Sequence, residues 1–210
     1  MAEMRYSSAD TALLFVDPYN DFLHERGKLW PAVAAVAAEV NLLDNLRAVA
    51  RACRAAGHQV FIVPHRRWRP GDFERFDHPT PYQLASAQAQ VFADGSWGGE
   101  WHADFAPQPG DVIVKEHWGG SGFANTDLDF LLKQHRVTQV IVIGLLANTC
   151  IETTARFAVE LGYHVTLVRD ATAAFSSDRM HAAHELNGPT FAHAIVTTRE
   201  LLAALPPSIG

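Results

Sequence analysis

Residues 140–150 read Val-Ile-Val-Ile-Gly-Leu-Leu-Ala-Asn-Thr-Cys, and Ile151, Glu152, Thr153 and Thr154 follow. An unbroken apolar run rich in β-branched residues suits a strand covered on both faces, which is the situation of a parallel sheet between two helix layers. Gly144 then allows a sharp turn into an amphipathic run. This places Cys150 near the first turn of a helix, where free N–H groups and the positive end of the dipole lower a thiol's pKa. Read alone, Cys150 is equally well a small buried hydrophobe.

The rest of the chain repeats the strand-then-helix rhythm. Residues 11–16 form an apolar run stopped by Asp17-Pro18, which leaves Asp17 at a strand's carboxyl end. Residues 19–31 read as a loop, and residues 32–56 as one helix with Leu42, Leu46, Val49 and Cys53 on its buried stripe, so Cys53 is a core filler. Gly57 closes that helix, and a second strand spans 58–65. Residues 111–115 form a third strand ending in Lys115. A glycine-rich turn over 119–123 and a helix to His135, capped by Asn125 or Thr126, come next. Strands over 137–145, 163–168 and 194–196, with helices after Cys150, over 178–186 and after Thr197, complete the alternation. The pattern predicts a three-layer α/β/α domain spanning 1–210 with a six-stranded parallel sheet. The segment 66–110, with one short helix over 82–92, holds three of the five tryptophans. It reads as either a pocket lid or a subunit interface, because so long a connection in a compact domain is usually functional.

Several function classes are excluded by composition. The formal net charge is -6, and the one basic cluster is Arg66-Arg67-Trp68-Arg69, so neither nucleic acid nor an anionic membrane is an expected partner. Two cysteines make no disulfide framework, and the polar stretch Met1 to Asp10 lacks the apolar core of a signal peptide, so a cytoplasmic protein is expected. No apolar stretch approaches the roughly 20 residues of a membrane helix.

In open parallel sheets ligands bind beyond the carboxyl ends of the strands. Asp17, Lys115 and Cys150 each end or closely follow a predicted strand at that edge. An acid, a cation and a thiol so placed make a nucleophilic site: the carboxylate can take the thiol proton, and the ammonium can hold the thiolate. Each also has an innocent role, Asp17 shaping a turn and Lys115 reaching solvent. Their coincidence on three strand ends is what carries weight.

These residues, together with the motifs around them, resemble the isochorismatase-like cysteine hydrolase family over nearly the whole chain. The carriers are residues 14–22 (Leu-Phe-Val-Asp-Pro-Tyr-Asn-Asp-Phe), 95–100 (Gly-Ser-Trp-Gly-Gly-Glu), 109–115 (Pro-Gly-Asp-Val-Ile-Val-Lys), 121–128 (Ser-Gly-Phe-Ala-Asn-Thr-Asp-Leu), 144–150 and 168–171. The resemblance implies a Rossmann-like fold and Asp17, Lys115 and Cys150 as the catalytic triad. It further implies an oxyanion hole from the N–H groups of Leu146 and Cys150, a cis peptide between Leu145 and Leu146, and a homodimer or homotetramer. Two positions depart from the pattern: Ala147 stands for the usual threonine, and Gly122 for the usual alanine. The metal-binding histidines of nicotinamidase relatives are reduced here to His65, so no metal and no cofactor is expected.

The expected activity is hydrolysis of a C–N bond in a small amide, ureido or carbamoyl compound through a Cys150 thioester. The alternatives are vinyl ether hydrolysis, which needs no thiol, and a non-catalytic binding module. Pocket candidates are Phe22, Trp30, His65, His117, Trp118 and Phe123, with Trp68 and Phe73 able to stack on a planar substrate or to fill an interface. His181 and His184, spaced i, i+3, are expected on an exposed helix face.

Overall fold

The apolar runs assemble into one all-parallel sheet in a computed structural model that describes residues 6–208. The reading of the amino-terminal stretch falls on residues 1–5 and so lies in part outside the described residues. The strands are β1 (Thr11–Val16), β2 (Gln59–Val63), β3 (Val112–Ile113), β4 (Gln139–Leu145), β5 (His164–Ala173) and β6 (Ala194–Val196), in the order β3-β2-β1-β4-β5-β6. β1 is flanked by β2 and β4, and all six of its residues are buried, as a strand sandwiched between helix layers must be.

Helices α1 (Asn20–Leu23), α2 (Trp30–Glu39), α3 (Leu42–Ala55), α4 (Pro81–Gln88), α5 (Leu128–Gln134), α6 (Glu152–Glu160), α7 (Ser177–His181) and α8 (Thr198–Ala204) make the connections. Alternate residues of the central strands feed two cores. Leu13, Phe15, Ile141 and Ile143 pack with Leu42, Leu46, Val49 and Cys53 of α3 and Leu201 of α8. Leu14, Val16, Val140 and Val142 pack with Leu128 and Leu132 of α5 and Ala155 and Ala158 of α6. Each fully buried Leu, Ile or Phe side chain here stabilises the fold by roughly 1.5–3 kcal/mol relative to exposure.

Beyond shifted ends, such as β3 stopping at Ile113 rather than Lys115, the elements differ from the sequence reading in four places. The helix over 32–56 is two helices, broken where Asn41 takes a left-handed φ of 54°. The loop after β1 holds the short α1. β5 runs on to Ala173, past Arg169 and Asp170, because after a register shift Thr172 and Ala173 pair with Gly144 and Leu145 of β4; the Asp170 carboxylate accepts from the Thr198 N–H (2.6 Å) and hydroxyl (2.8 Å) at the start of α8. The helix expected over 178–186 turns π-helical from Ala182, which rotates His184 inward. His184 is therefore buried rather than exposed; its ring meets the Thr172 hydroxyl at 2.8 Å, and burial pushes its pKa down to about 4. Among the described residues no helix is long and apolar enough to cross a membrane.

Candidate active site

The strand order reverses between β1 and β4, and the residues leaving these two strands face each other across that crevice. Asp17 follows β1 directly, with a left-handed φ of 55°, its N–H donating to the Val63 carbonyl (3.1 Å) and its carbonyl accepting from Tyr19 N–H (2.8 Å). A non-glycine residue in that conformation is uncommon and is held here by both neighbours. Asp17 is completely buried. On β4, Gly144 has φ +115°, and a Cβ there would collide with the Val16 carbonyl, so only glycine lets the two strand ends approach. The Leu145–Leu146 peptide is cis.

A π-helical turn, Ala147–Ile151, then carries Cys150 to the crevice. The Leu146 carbonyl accepts from both Thr149 and Ile151 N–H at 3.1 Å. The Thr149 hydroxyl lies 3.9 Å from the Cys150 sulfur. Contrary to the helix-terminus expectation, the thiol is not acidified. Burial first, and then the charge and hydrogen bond of Asp17, push its pKa well above the usual thiol value, and Thr149 and Leu146 only partly oppose this.

The basic side chain beside Asp17 is His117, not Lys115. Side-chain atoms of Asp17, His117 and Cys150 lie within 4.8 Å of one another, all three buried. His117 Nε2 is 3.1 Å from Asp17 Oδ1, and its Nδ1 is 2.6 Å from the Gly119 carbonyl. Both ring nitrogens thus face acceptors, which an imidazolium satisfies by donating twice. Burial pushes the His117 pKa down, but the Asp17 charge and hydrogen bond, the Gly119 carbonyl and Glu116 outweigh it, so the net shift is upward.

Lys115 is exposed, and its backbone N–H donates to the Asp127 carboxylate at 2.8 Å. The physical reason is the strand order. β3 lies outside β2, two strand spacings or about 10 Å from β1. The chain runs on beside the end of β2, His117 N–H donating to the Pro64 carbonyl (2.9 Å) and Arg66 N–H to the His117 carbonyl (2.8 Å), and so delivers His117. Picking the last residue of an apolar run misses this; the signal available was His117 itself, two residues on and next to the glycine-rich turn.

Among the described residues no nitrogen or oxygen donor reaches Asp17 Oδ2. His117, with both nitrogens engaged elsewhere, cannot act as the base in a Cys–His pair. Asp17 is thus the group able to take the thiol proton. Carboxylate, imidazole and thiol are also a donor set that Zn²⁺ accepts, but the ring nitrogens are already committed to Asp17 and Gly119.

Cys150 and Asp17 open on a cavity of about 280 Å³. Phe22, His65 and Trp118 line it, as expected; His117 does not, being held against Asp17 and the Gly119 carbonyl. Trp30 does not; it packs at the start of α2 against the α3-side core. Phe123 is also absent, being 6% exposed in the other core and tilted against Tyr163 at a ring separation of 5.9 Å. Much of the wall comes from the long segment: Phe73, Thr80, Tyr82, Gln83, Ser86, Val91 and Phe92. That wall is tied to the β1 corner. The buried Asp21 carboxylate accepts from Phe92 N–H at 2.8 Å and Lys28 N–H at 3.1 Å, and a Cβ on Gly98 would strike it. The Tyr19 ring stacks on both Phe92 and Trp101, at 4.7 and 5.0 Å, while its hydroxyl donates to the His65 carbonyl at 2.8 Å.

Residues 11–200 match the Isochorismatase domain family. The ureidoacrylate amidohydrolase RutB of Rhizobium rhizogenes is 28% identical over 209 residues, covering 94% of this chain and 84% of its own length. Among solved structures, a cysteine hydrolase from Pseudomonas syringae pv. phaseolicola aligns with TM-score 0.74 and 29% identity over 98% of each chain. N-carbamoylsarcosine amidase from Thermoplasma acidophilum aligns with TM-score 0.68 and 26% identity, covering 90% of this chain and 96% of its own.

Proposed function

We propose, from the premise that this chain belongs to the isochorismatase family, that Asp17, His117 and Cys150 hydrolyse a small amide, ureido or carbamoyl compound. The chain is a hydrolase, and its similarity to amidohydrolases supports C–N bond cleavage. The observation that carries the finer reading is the meeting of a buried thiol, a carboxylate with one oxygen that no nitrogen or oxygen donor among the described residues reaches, and an imidazole flanked by two acceptors in one crevice.

With its pKa raised, Cys150 rests as a thiol and must lose its proton as it attacks. The proton passes to Asp17 while the sulfur bonds to the carbonyl carbon. The oxyanion takes hydrogen bonds from the Leu146 and Cys150 N–H groups. The C–N bond then breaks, and Asp17 returns the proton to the leaving nitrogen, which departs as ammonia or an amine. Water adds to the thioester, giving one proton to Asp17, and release of the acid restores the thiol. The balance is amide plus water to acid plus amine. His117 positions the Asp17 carboxylate and keeps a positive charge beside the sulfur. Vinyl ether hydrolysis would leave the thiol without a task.

The test is ammonia release from a panel of small amides and ureido compounds. Cys150→Ala is expected to abolish turnover without unfolding the protein; a variant keeping a tenth of the activity overturns the mechanism.

A further inference from the structure

The cavity at Cys150 is surrounded by basic side chains, yet none of them lines it. Arg66 pairs with Asp72 at 3.1 Å and lies over the Trp118 ring at 4.5 Å, on which its charge is already spent. Arg67 binds Glu116 at 2.7 Å and the Gly99 carbonyl at 2.7 Å, and covers Trp101 at 4.5 Å. Arg69 pairs with Asp94 at 2.8 Å. Lys28 directs its ammonium to the carbonyls of Ala89 (3.0 Å) and Gln90 (2.6 Å). His117, the cation of the crevice, is held by Asp17 and Gly119.

What faces the cavity is uncharged apart from Asp17. Phe22, Phe73, Phe92 and Trp118 supply flat apolar walls. Burial, and next the charged His117, push the His65 pKa down, so its ring is neutral at pH 7. Its Nδ1 lies 2.9 Å from the Arg66 carbonyl and so carries the proton, which leaves Nε2 an acceptor for an N–H. Burial, and then the nearby Cys150 and Asp17, push the Tyr82 phenol up to about 12 against the opposing charge of Arg179, so it remains a neutral hydroxyl. Arg179 acts on Tyr82 from outside the cavity, lying against the Phe175 ring at 5.7 Å, but among the described residues no Lys or Arg lines the cavity, so a substrate carboxylate would be desolvated beside Asp17 with no cation in the wall to meet it. The volume of about 280 Å³ compares with the roughly 150 Å³ of a dry cavity that takes benzene. There is room for an aromatic ring and an amide or urea group together.

We infer that the substrate is an uncharged amide or urea carrying an aromatic or comparable apolar group, rather than a carboxylate-bearing ureido acid of the kind named by the RutB relatives. This assignment rests on the cysteine-hydrolase reading of the same site. The apolar group packs between the phenylalanines and Trp118, and the carbonyl is presented to Cys150.

The experiment compares phenylacetamide and benzylurea with their para-carboxylate counterparts, each pair differing by one charge. Binding is measured by calorimetry on the Cys150→Ala protein, and ammonia release on the wild type. The neutral member of each pair is expected to bind at least about tenfold more tightly, with a similar ratio in kcat/KM. Equal binding, tighter binding of the carboxylates, or no binding of either overturns the substrate class. Preferential binding of the neutral pair with no ammonia from the wild type overturns the hydrolytic reading and leaves the pocket assignment standing. Ser86→Arg, which puts a cation on the α4 wall, is expected to cut the neutral-over-charged ratio about tenfold; an unchanged ratio overturns the proposal.

Discussion

The two cysteines of this chain are both buried thiols whose pKa burial raises, and they sit in regions of opposite character. Cys53 lies on the apolar face of α3 among Leu46, Val49 and Leu42, with its pKa pushed up to about 12. Cys150 lies between β1 and β4 with a carboxylate and an imidazole within 4.8 Å, and a cavity opens on it. Burial alone therefore says nothing about reactivity. The difference is a proton acceptor beside the sulfur and space for a carbonyl in front of it.

Replacing Cys150 by Ala should cost roughly 10⁴-fold in turnover with little change in thermal midpoint. Cys53→Ala should do the reverse, keeping kcat/KM within about twofold while lowering stability by about 1 kcal/mol in urea unfolding. If the two variants behave alike, the contrast collapses. Asp17→Asn should lose roughly 10³-fold in amide hydrolysis. It should also speed alkylation of Cys150 by iodoacetamide at pH 7.5, because the charge and hydrogen bond that raise the thiol's pKa are gone. An unchanged alkylation rate would deny Asp17 its place beside the sulfur.

His117→Ala removes one member of a buried pair and should destabilise the fold by roughly 3 kcal/mol. The pH dependence has a definite sign. The His117 pKa is raised above 6.5, so its ion pair with Asp17 contributes in full below about pH 6.5 and is lost as pH rises through the raised value. Stability and the alkaline limb of activity should fall together there. His117→Lys should carry the limb to higher pH, since an ammonium holds its proton further. A limb that stays in place assigns it to another group. The smallest effect belongs to Lys115→Ala: less than about twofold in kcat/KM, as for an exposed side chain remote from the crevice.

The sheet was legible because each buried strand needs its own apolar run, and the strand-end rule brought Asp17 and Cys150 to one crevice for the same reason. What escaped depends on tertiary order. Lys115 ends its run as Asp17 does, yet β3 lies outside β2, a fact no local pattern encodes. The break at Asn41 and the π-helical turns at Ala147 and Ala182 change helix phase without a glycine or proline to announce them. The inward face of His184 follows from that last shift. Trp30 and Phe123 are large and aromatic, which serves a core as well as a pocket. The segment 66–110 supplies the pocket wall, but its contacts with Asp21 and Tyr19 join residues far apart in the chain and leave no periodic trace.

Helix α4 has eight residues, none of them buried, yet Tyr82, Gln83 and Ser86 shape the room in front of the sulfur. It is held at its start by a Thr80–Gln83 capping box rather than by the cores. Such a piece can be exchanged for another without disturbing the reacting groups. Grafting α4 equivalents from related hydrolases onto this scaffold should therefore transfer substrate preference while the chemistry stays where it is.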